Sequence, residues 1–308
     1  MAKHWEGLSP WRPDIAIDLG TATTRVVSKG HGVITHISMA GNVPALSSGV
    51  VANPDAVVAL LEPLISKMRI FGMIRPRAVA CAPTDANADE RNALVVGVSR
   101  GGACAVVVVP EPLAAAVGAG VDIVSPYARM VVDIGEGVTD CAVITSGKVV
   151  DTAALRGGCC ALRNAVREGA LRRWNLRIST RQAETLVRAA LCGSAAVAVQ
   201  TQDAQGDDGP ALPPISLVEA REACEPVVEA ILGLITEFLR EVPHSTGSEI
   251  IENGITLTGG GALLAGMRER IQAATGITVM PVANPLEAVV RGAYAMLPIV
   301  AMLNMWKH

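Results

Sequence analysis

Two short stretches of the chain share one arrangement of residues, and that arrangement can hold a phosphate together with a metal ion. In Ile15–Thr24 and Met130–Thr139, an apolar run ends in an aspartate, followed by one apolar residue, a glycine and small residues that include threonine. An apolar strand that stops at Asp-x-Gly is expected to turn sharply, and the glycine leaves backbone N–H groups open to an anion. Because the aspartate can hold a hydrated cation against that anion, the pair predicts two half-sites that close on one phosphate–metal group.

The two turns are expected to hold the charged end of a nucleotide. Asp18 and Asp133 would face each other and hold Mg²⁺, mostly through water, because magnesium gives up its waters reluctantly. Backbone N–H groups of the turns would bind the β- and γ-phosphates, and the hydroxyl groups of the threonines would add donors. The residues assigned to this binding are Gly20, Thr21, Ala22 and Thr23 in the first turn, and Gly135, Glu136, Gly137 and Thr139 in the second.

A third glycine turn follows a short apolar run within Leu257–Leu264. Its glycines lack side chains, so the sugar and base of a nucleotide could lie directly on the backbone. A helix predicted over Ala262–Thr275 would offer its N-terminus to the α-phosphate. The nucleotide contacts expected from this turn are Gly259, Gly260, Gly261, Ala262 and Leu263.

Glu111 lies at the start of an alanine-rich helix predicted over Pro112–Gly120. A carboxylate at this position could orient or deprotonate a water that attacks the γ-phosphate. An acidic residue at a helix start can also be there because the helix dipole stabilises it. The two phosphate turns elsewhere in the chain favour the catalytic interpretation, in which Asp133 also takes part.

The elements that must position these residues occur twice in the order β-β-β-α-β-α-β-α. Strands that alternate with helices indicate parallel sheets, so the predicted fold class is α/β, with two similar domains facing each other across a cleft. Ligands of such sheets bind beyond the carboxyl ends of the strands, where both Asp-x-Gly turns fall. Near the C-terminus the pattern predicts a strand over Ile277–Val282 and a helix over Pro285–Met296 with Asn284 as its N-cap.

The length of 308 residues allows two domains, each with its own core. We predict an N-terminal arm over residues 1–13, a first domain over 14–125 and a second over 126–308. The second domain would carry a short polar insert around residues 193–215. Half of the residues are apolar and only 3% are aromatic, so the cores must be built from Ala, Val, Leu and Ile, as suits sheets covered by helices.

Charge and cysteine content restrict the partners and the compartment. A net charge of −3 gives no electrostatic reason to expect nucleic acid as a partner. The seven cysteines form no C-x-x-C pair, no secretory signal is evident, and no apolar run reaches the ~20 residues of a spanning helix, so a cytoplasmic protein is predicted. Trp5 and Trp11 on the arm, or the apolar tail Tyr294–Trp306, could contact a membrane or a partner, or pack on their own domain.

Together these motifs resemble those of the actin-like ATPase superfamily, and within it those of the MreB/Mbl family of bacterial cell-shape actins. The resemblance is carried by Ile17–Thr24, Cys81–Ala88, Glu111–Gly120, Met130–Val150 and Ile255–Leu264. It implies duplicated actin-like (ribonuclease H-like) domains that bind ATP and Mg²⁺ between them. It also implies assembly into filaments on the inner face of the membrane, and work with membrane-associated cell-wall synthesis proteins. By the same resemblance Asp18 and Asp133 are associated with magnesium, and Glu111 is the hydrolytic carboxylate.

The chain departs from the pattern of this family at several points. Where the family usually has a third glycine and tandem threonines in its second phosphate turn, this chain has Glu136 and then Val138-Thr139. Val138 replaces a hydroxyl that helps to position the attacking water. We expect Glu136 to point into solvent at the hairpin tip, where its repulsion of phosphate is roughly 1 kcal/mol or less. These changes predict slow or impaired ATP hydrolysis.

Two further regions bear on the nucleotide. The adenosine contacts of the family fall on the helix before residue 193, and depending on its register they are Glu184 and Arg188, or Leu186 and Ala189. The chain between Val33 and Pro76 is too short for the small subdomain that normally covers the nucleotide, so that subdomain is predicted to be largely missing.

Other functions remain open from the sequence. A chaperone-type ATPase of the same superfamily would need a peptide-binding domain, for which the chain has no obvious room. A sugar or metabolite kinase would need a catalytic aspartate base in the first domain, where Asp85 and Asp89 are the candidates. A nucleotide-independent scaffold with the same fold is the remaining alternative.

Overall fold

The structure is a computed structural model that describes residues 13–192, 215–303 and 305–306. The predicted arm with Trp5 and Trp11 and nearly all of the predicted insert lie outside the described residues.

The first half of the chain forms a five-stranded sheet with helices on it. In chain order its elements are β1 (Asp14–Leu19), β2 (Thr23–Ser28), β3 (Gly32–Ile37), β4 (Met39–Ala40), β5 (Val43–Pro44), β6 (Leu46–Ser47), β7 (Val50–Val51), α1 (Pro54–Ser66), β8 (Arg77–Ala82), α2 (Ala88–Arg100), β9 (Ala105–Pro110) and α3 (Glu111–Gly118). The strands of the sheet lie in the order β3-β2-β1-β8-β9. The first three are antiparallel neighbours, and β1, β8 and β9 are parallel.

The second half repeats this plan. Its elements are β10 (Arg129–Ile134), β11 (Thr139–Thr145), β12 (Lys148–Leu155), α4 (Cys159–Trp174), α5 (Thr180–Leu191), α6 (Leu217–Glu241), α7 (His244–Asn253), β13 (Ile255–Thr258), α8 (Met267–Thr275), β14 (Val279–Met280) and α9 (Ala288–Met302). The strand order is β12-β11-β10-β13-β14, which matches the first sheet position by position. The predicted duplication of an α/β unit is therefore confirmed.

Strand alternation decides which face of each sheet meets the other half. In β1 the side chains of Ile15, Ile17 and Leu19 pack outward beneath the helices, whereas Ala16 joins an apolar layer shared by both sheets. In β10, Val131 joins the same layer while its neighbours pack outward. Since successive side chains of a strand point to opposite faces, the aspartates two residues after Ala16 and Val131 also lie on the inner faces.

Two helices, α3 and α9, cross in this inner layer, and each packs on the sheet of the other half. Helix α3 contacts β10 and β11 of the second sheet, and α9 contacts β1, β2 and β8 of the first. They approach each other through Gly118 and Gly292. A Cβ atom at Gly118 would overlap the carbonyl oxygen of Ala288, and one at Gly292 would overlap that of Ala114. Contact between the two backbones therefore requires glycine at both positions.

Several predicted boundaries near the C-terminus are wrong. The helix expected from Ala262 begins at Met267, after a short 3₁₀ helix over Gly260–Leu263. The strand expected over Ile277–Val282 contains only Val279–Met280. The last helix begins at Ala288 rather than Pro285, with Glu287 as its N-cap, because Asn284 instead forms a turn in which its carbonyl accepts from the Glu287 N–H at 3.1 Å.

Helix α7 was not predicted, because its sequence, H-S-T-G-S-E-I-I-E-N, has only two strongly apolar residues and buries only Ile250.

Residues 38–53, all described, form the two small hairpins β4–β5 and β6–β7. These hairpins and α1 occupy the chain between Val33 and Pro76, which we predicted to be too short for the small subdomain. None of the helices in the described ranges is both long and apolar enough to cross a membrane.

We expect Gly292→Ala to destabilise the protein by roughly 1–3 kcal/mol or more, because the new methyl group would push α3 and α9 apart. The measurement is the midpoint of urea-induced unfolding. Gly233→Ala is the matched control, since a Cβ atom at Gly233 in α6 would have no neighbour within 4 Å. That control should be neutral or stabilising by up to ~1 kcal/mol. Equal midpoints for the two variants would contradict the close crossing of the two helices.

Candidate functional site

The two Asp-x-Gly turns meet at the carboxyl ends of β1 and β10 and form the floor of one cleft between the halves. Most of the residues predicted from the sequence line this cleft, and they come from five separate parts of the chain. They are Asp18, Gly20, Thr21, Ala22, Thr23, Glu111, Asp133, Gly135, Glu136, Gly137, Glu184, Arg188, Gly259, Gly260 and Leu263.

Three predicted nucleotide contacts do not line the cleft. Thr139 is fully buried, and its hydroxyl donates to the carbonyl oxygen of Gly157 at 2.9 Å. Gly261 packs onto the side chain of Ile134, because the 3₁₀ helix turns it toward the core. Ala262 faces a separate surface depression, and the helix whose N-terminus it was expected to form begins five residues later.

The atoms around the glycines of the three turns leave little room for a side chain. A Cβ atom at Gly20 would lie 2.8 Å from the carbonyl oxygen of Thr23, and one at Gly135 would lie 3.0 Å from that of Val138. The third turn is more restricted still, since Gly259 has a φ of +79° and a Cβ atom there would overlap the Asp133 carboxylate. All three turns therefore require glycine for close approach.

Three carboxyl groups lie together in the cleft, those of Asp18, Glu111 and Asp133. Burial first and the nearby charge of Asp18 second raise the pKa of Asp133 to about 7, although a hydrogen bond with Thr258 acts to lower it. Burial likewise raises the pKa of Glu111 well above its usual range, with added contributions from Asp18 and Asp133. The empty cleft therefore makes both carboxyl groups harder to ionise than they are in water, and added positive charge would favour their ionised forms.

The donor set fits a hydrated divalent cation. The Oδ1 atom of Asp133 is buried and has no hydrogen-bond partner among the described residues. Among the described residues, no group of three or more His, Cys, Asp or Glu side chains is placed so that it could hold a metal ion by itself. Magnesium is usually bound by one or two carboxylates together with water and phosphate oxygens, so Asp18 and Asp133 suit that ion.

Arg25 is a cleft residue that the sequence reasoning missed. It lies directly opposite Asp18 in the β1–β2 ladder, and its Nη1 donates to the Asp18 Oδ2 at 3.3 Å. This ion pair lowers the pKa of Asp18, although burial acts more strongly and leaves that pKa raised. The signal was available, because a tight hairpin that begins at Gly20 sets which β2 residue pairs with Asp18.

The prediction that Glu136 points into solvent is wrong. Its carboxylate forms an ion pair with Arg163 of α4, and its side chain is only 21% exposed. Arg163 also donates to Glu184 at 2.9 Å, and Glu184 in turn pairs with Arg188 at 2.7 Å. The tip of the second turn is therefore held against α4 and α5, and the charge of Glu136 is largely neutralised. This chain of pairs also settles the register of α5, with Glu184 and Arg188 toward the cleft and Leu186 in the core.

A turn from the first half lies against both Asp-x-Gly turns. Gly49, between β6 and β7, donates its N–H to the hydroxyl of Thr21 at 2.9 Å. A Cβ atom at Gly49 would lie 2.5 Å from the Val138 side chain, and one at Gly137 would meet both the Thr21 hydroxyl and Ser48. Val138, which replaces a hydroxyl of the family pattern, is thus buried against this turn.

Polar contacts also join the two halves beside the cleft. Asp140 accepts from the backbone N–H of Thr84 at 2.8 Å and from its hydroxyl at 2.5 Å. Arg156 pairs with Asp85 at 2.5 Å and with Glu90 at 3.0 Å. Asp85, a candidate base for the kinase interpretation, is therefore engaged in an ion pair between the halves.

The apolar tail packs partly against the interior of the protein, including the first half. Trp306 joins the apolar layer between the sheets, and the guanidinium carbon of Arg77 lies 4.5 Å from its ring centroid. Arg77 also forms a bidentate pair with Asp14 at 2.7 and 2.8 Å. Other apolar side chains near the end of the chain are exposed, among them Met302 and Leu303.

Comparison with known proteins identifies the family. The MreB/Mbl protein family model matches residues 38–305. The chain belongs to the MreB/Mbl family. This finding confirms the resemblance drawn from the motifs, and it makes the protein a member of a family of cell shape-determining, actin-like proteins.

Individual family members match over nearly their whole length. The cell shape-determining protein Mbl of Bacillus subtilis (strain 168) is 28% identical over 317 residues, which cover 92% of this chain and 95% of Mbl. The cell shape-determining protein MreB of Escherichia coli (strain K12) is 28% identical over 342 residues, covering 98% and 97%. Among solved structures, MreB5 of Spiroplasma citri bound to ADP is 25% identical, with a TM-score of 0.82 over 96% of this chain and 99% of that one. The same protein bound to AMPPNP gives a TM-score of 0.81. The duplicated actin-like fold is therefore confirmed.

The buried carboxyl groups predict a pH-dependent stability for the protein without nucleotide or metal. The pKa of Asp133 is raised from its ordinary value of 3.8 to about 7, so the folded state binds that proton more tightly than the unfolded state does. The resulting stabilisation is complete below about pH 4 and is lost as the pH rises through about 7. We expect the free energy of unfolding to fall across this interval.

Asp133→Asn should flatten this dependence, because asparagine does not ionise. At pH 8 in EDTA we expect the variant to be more stable than the wild type by on the order of 1–4 kcal/mol, measured by urea unfolding. Asp55→Asn is the control, since Asp55 is highly exposed and pairs with the surface residue Arg100. A pH profile of Asp133→Asn that is parallel to the wild-type profile would contradict the burial of an ionisable group at this position.

Proposed function

We propose that this MreB/Mbl family protein binds ATP with Mg²⁺ in the cleft and assembles into cytoskeletal filaments that serve cell shape and cell-wall synthesis. The observation that carries the proposal is the meeting of three glycine turns, from distant parts of the chain, around Asp18 and Asp133. Support comes from MreB5, a protein of the same fold and family type that was solved bound to ADP and to AMPPNP.

The roles proposed for the cleft residues follow from their chemistry. Residues of the first two turns line the cleft, and backbone N–H groups of these glycine turns would bind phosphate oxygens. Gly259, Gly260 and Leu263 would lie under the sugar and base, with Glu184 and Arg188 at the outer edge. A magnesium ion held by Asp18 and Asp133 would neutralise phosphate charge and lower the pKa values of the neighbouring carboxyl groups.

We propose that hydrolysis is slow. Glu111 lines the cleft at the first turn of α3, where it could orient a water or accept its proton. Burial and the nearby charges of Asp18 and Asp133 raise its pKa, so in the empty cleft the carboxyl group ionises less readily than an ordinary glutamate and is less available as a base. Val138 stands where the family pattern has a hydroxyl group, so it cannot help to position the attacking water.

Calorimetric titration with Mg-ATP tests the binding site. We expect the wild-type protein to bind and Asp18→Ala to bind more weakly by at least ~10-fold, because the variant lacks one of two carboxylates for the metal. Asp55→Ala, remote from the cleft and exposed, is the control and should bind like the wild type. Absence of heat with the wild type would refute nucleotide binding.

Self-assembly is proposed from family membership, since relatives that match over more than nine-tenths of their length are named as cell shape-determining proteins. Such a role requires a polymer or a partner at the membrane where the cell wall is made. Peripheral membrane contact through the arm with Trp5 and Trp11 concerns residues outside the described ranges. Contact through the C-terminal tail would use exposed apolar side chains such as Met302 and Leu303, since Trp306 is partly buried against the inner layer. We place the protein on the cytoplasmic side of that membrane.

High-speed pelleting tests assembly. We expect the wild-type protein at tens of micromolar to sediment after addition of Mg-ATP, and Asp18→Ala to sediment less, because nucleotide binding and assembly would be coupled through closure of the cleft. Analytical ultracentrifugation provides the check. A wild-type protein that remains strictly monomeric with Mg-ATP bound would refute the filament and leave the binding site intact.

A nucleotide-independent scaffold is the second candidate. It is favoured by contacts that hold the cleft together through protein groups alone, such as Gly49 on Thr21 and the ion pair of Glu136 with Arg163. The titration described above distinguishes the two functions, since a scaffold would assemble or bind partners without taking up nucleotide.

A further inference from the structure

Arg25 occupies a place in the cleft where a positive charge has direct chemical consequences. It is on β2 opposite Asp18, and both side chains lie on the inner face of the sheet, since Val26 packs outward and Val27 inward. The Arg25 and Asp18 side chains are 13% and 10% exposed, and both line the cleft. The guanidinium group is therefore fixed on a rigid strand at the site assigned to phosphate and metal.

The bond that holds Arg25 leaves most of its hydrogen-bonding capacity unused. Its side-chain hydrogen bond in the described part of the chain goes to Asp18 at 3.3 Å, which is longer than the usual 2.7–2.9 Å of a charged pair. A guanidinium group carries five N–H donors in a planar fork that matches the oxygens of a phosphate. Arg25 can therefore keep its contact with Asp18 and still donate to an anion.

The other two arginines of the cleft are engaged differently. Arg163 is bound by both Glu136 and Glu184, and Arg188 pairs with Glu184. Those two positive charges are already matched by carboxylates on the second half. Arg25 instead faces the cluster of Asp18 and Asp133, and its charge lowers the pKa of both carboxyl groups.

The duplication of the fold shows that this charge is specific to one half. The residue that pairs with Asp133 across β10–β11 is Asp140, the structural counterpart of Arg25 across β1–β2. Asp140 is used to bind Thr84 between the halves. The first turn therefore has a resident cation beside its aspartate, and the second turn does not.

We propose that Arg25 is a phosphate-binding residue that supplies part of the positive charge otherwise provided by magnesium, so that nucleotide di- and triphosphates bind even without the metal. This inference rests on the proposed function of the cleft. In this arrangement Asp18 positions the guanidinium group. The backbone N–H groups of the Gly20 turn and the Arg25 side chain then bind the same phosphates from adjacent positions on one hairpin.

The experiment measures the dissociation constant for ATP by calorimetry in two buffers, one with Mg²⁺ and one with EDTA. Wild-type protein is expected to retain binding in EDTA. Arg25→Met should weaken binding in EDTA by about 10- to 100-fold, the value of hydrogen bonds to a charged group, and by a smaller factor in Mg²⁺. Arg25→Lys, which keeps the charge without the fork, should restore part of the loss in EDTA.

Arg100→Met is the matched control, because Arg100 is a surface residue paired with Asp55 away from the cleft, and this variant should keep the wild-type ratio of the two constants. Thermal unfolding of each variant reports whether it is folded, and if Arg25→Met is not, the comparison is made with Arg25→Lys. An equal ratio of constants in wild type and Arg25 variants would overturn the inference, as would tighter binding by Arg25→Met in Mg²⁺. If the wild type binds ATP in Mg²⁺ but not in EDTA, the inference is overturned and the proposed function stands. If it binds ATP in neither buffer, both are overturned.

Discussion

Three carboxyl groups of the same charge, those of Asp18, Glu111 and Asp133, are held at one edge of an apolar layer between two sheets. Burial raises the pKa of each of them, and repulsion by neighbouring carboxylates adds to this for Glu111 and for Asp133, whose pKa reaches about 7. Such a cluster is unfavourable for an empty protein and favourable for one that receives a cation. Arg25, paired with Asp18, partly offsets the negative charge of this cluster.

The carboxyl groups meet only because the two halves are packed at a fixed separation. That separation is set by α3 and α9, which touch through Gly118 and Gly292 with no side chain between them and which each pack on the sheet of the other half. Beside the cleft, polar contacts such as Arg156 with Asp85 add to this arrangement. The crossing of the helices is apolar and buried, whereas the polar contacts near the cleft are partly exposed. Opening of the cleft would therefore break the polar contacts first and leave the crossing in place.

The second turn shows how one side chain can change the electrostatics of a site. A glutamate at the tip of a phosphate-binding hairpin would repel a ligand if it were unpaired. Here Arg163 reaches it from α4 and is itself shared with Glu184 on α5. The result is a chain of alternating charges along the edge of the cleft rather than an isolated negative charge. The sequence reasoning missed it because the three residues are separated by about 20 residues or more and meet only after both helices have packed.

Local sequence determined the succession of strands and helices along each half, the duplication and the family, because strand alternation and Asp-x-Gly turns act over a few neighbouring positions. It also determined which aspartates face inward, since that follows from the two-residue period of β1 and β10. Tertiary structure alone decided that Thr139 and Gly261 turn away from the cleft, and that Ala262 precedes rather than begins a helix. It also decided that Glu136 is paired and that Arg25 stands beside Asp18. Each of these outcomes depends on which distant element supplies the nearest partner, and a side chain's partner is chosen by packing between elements rather than by the residues next to it in the chain.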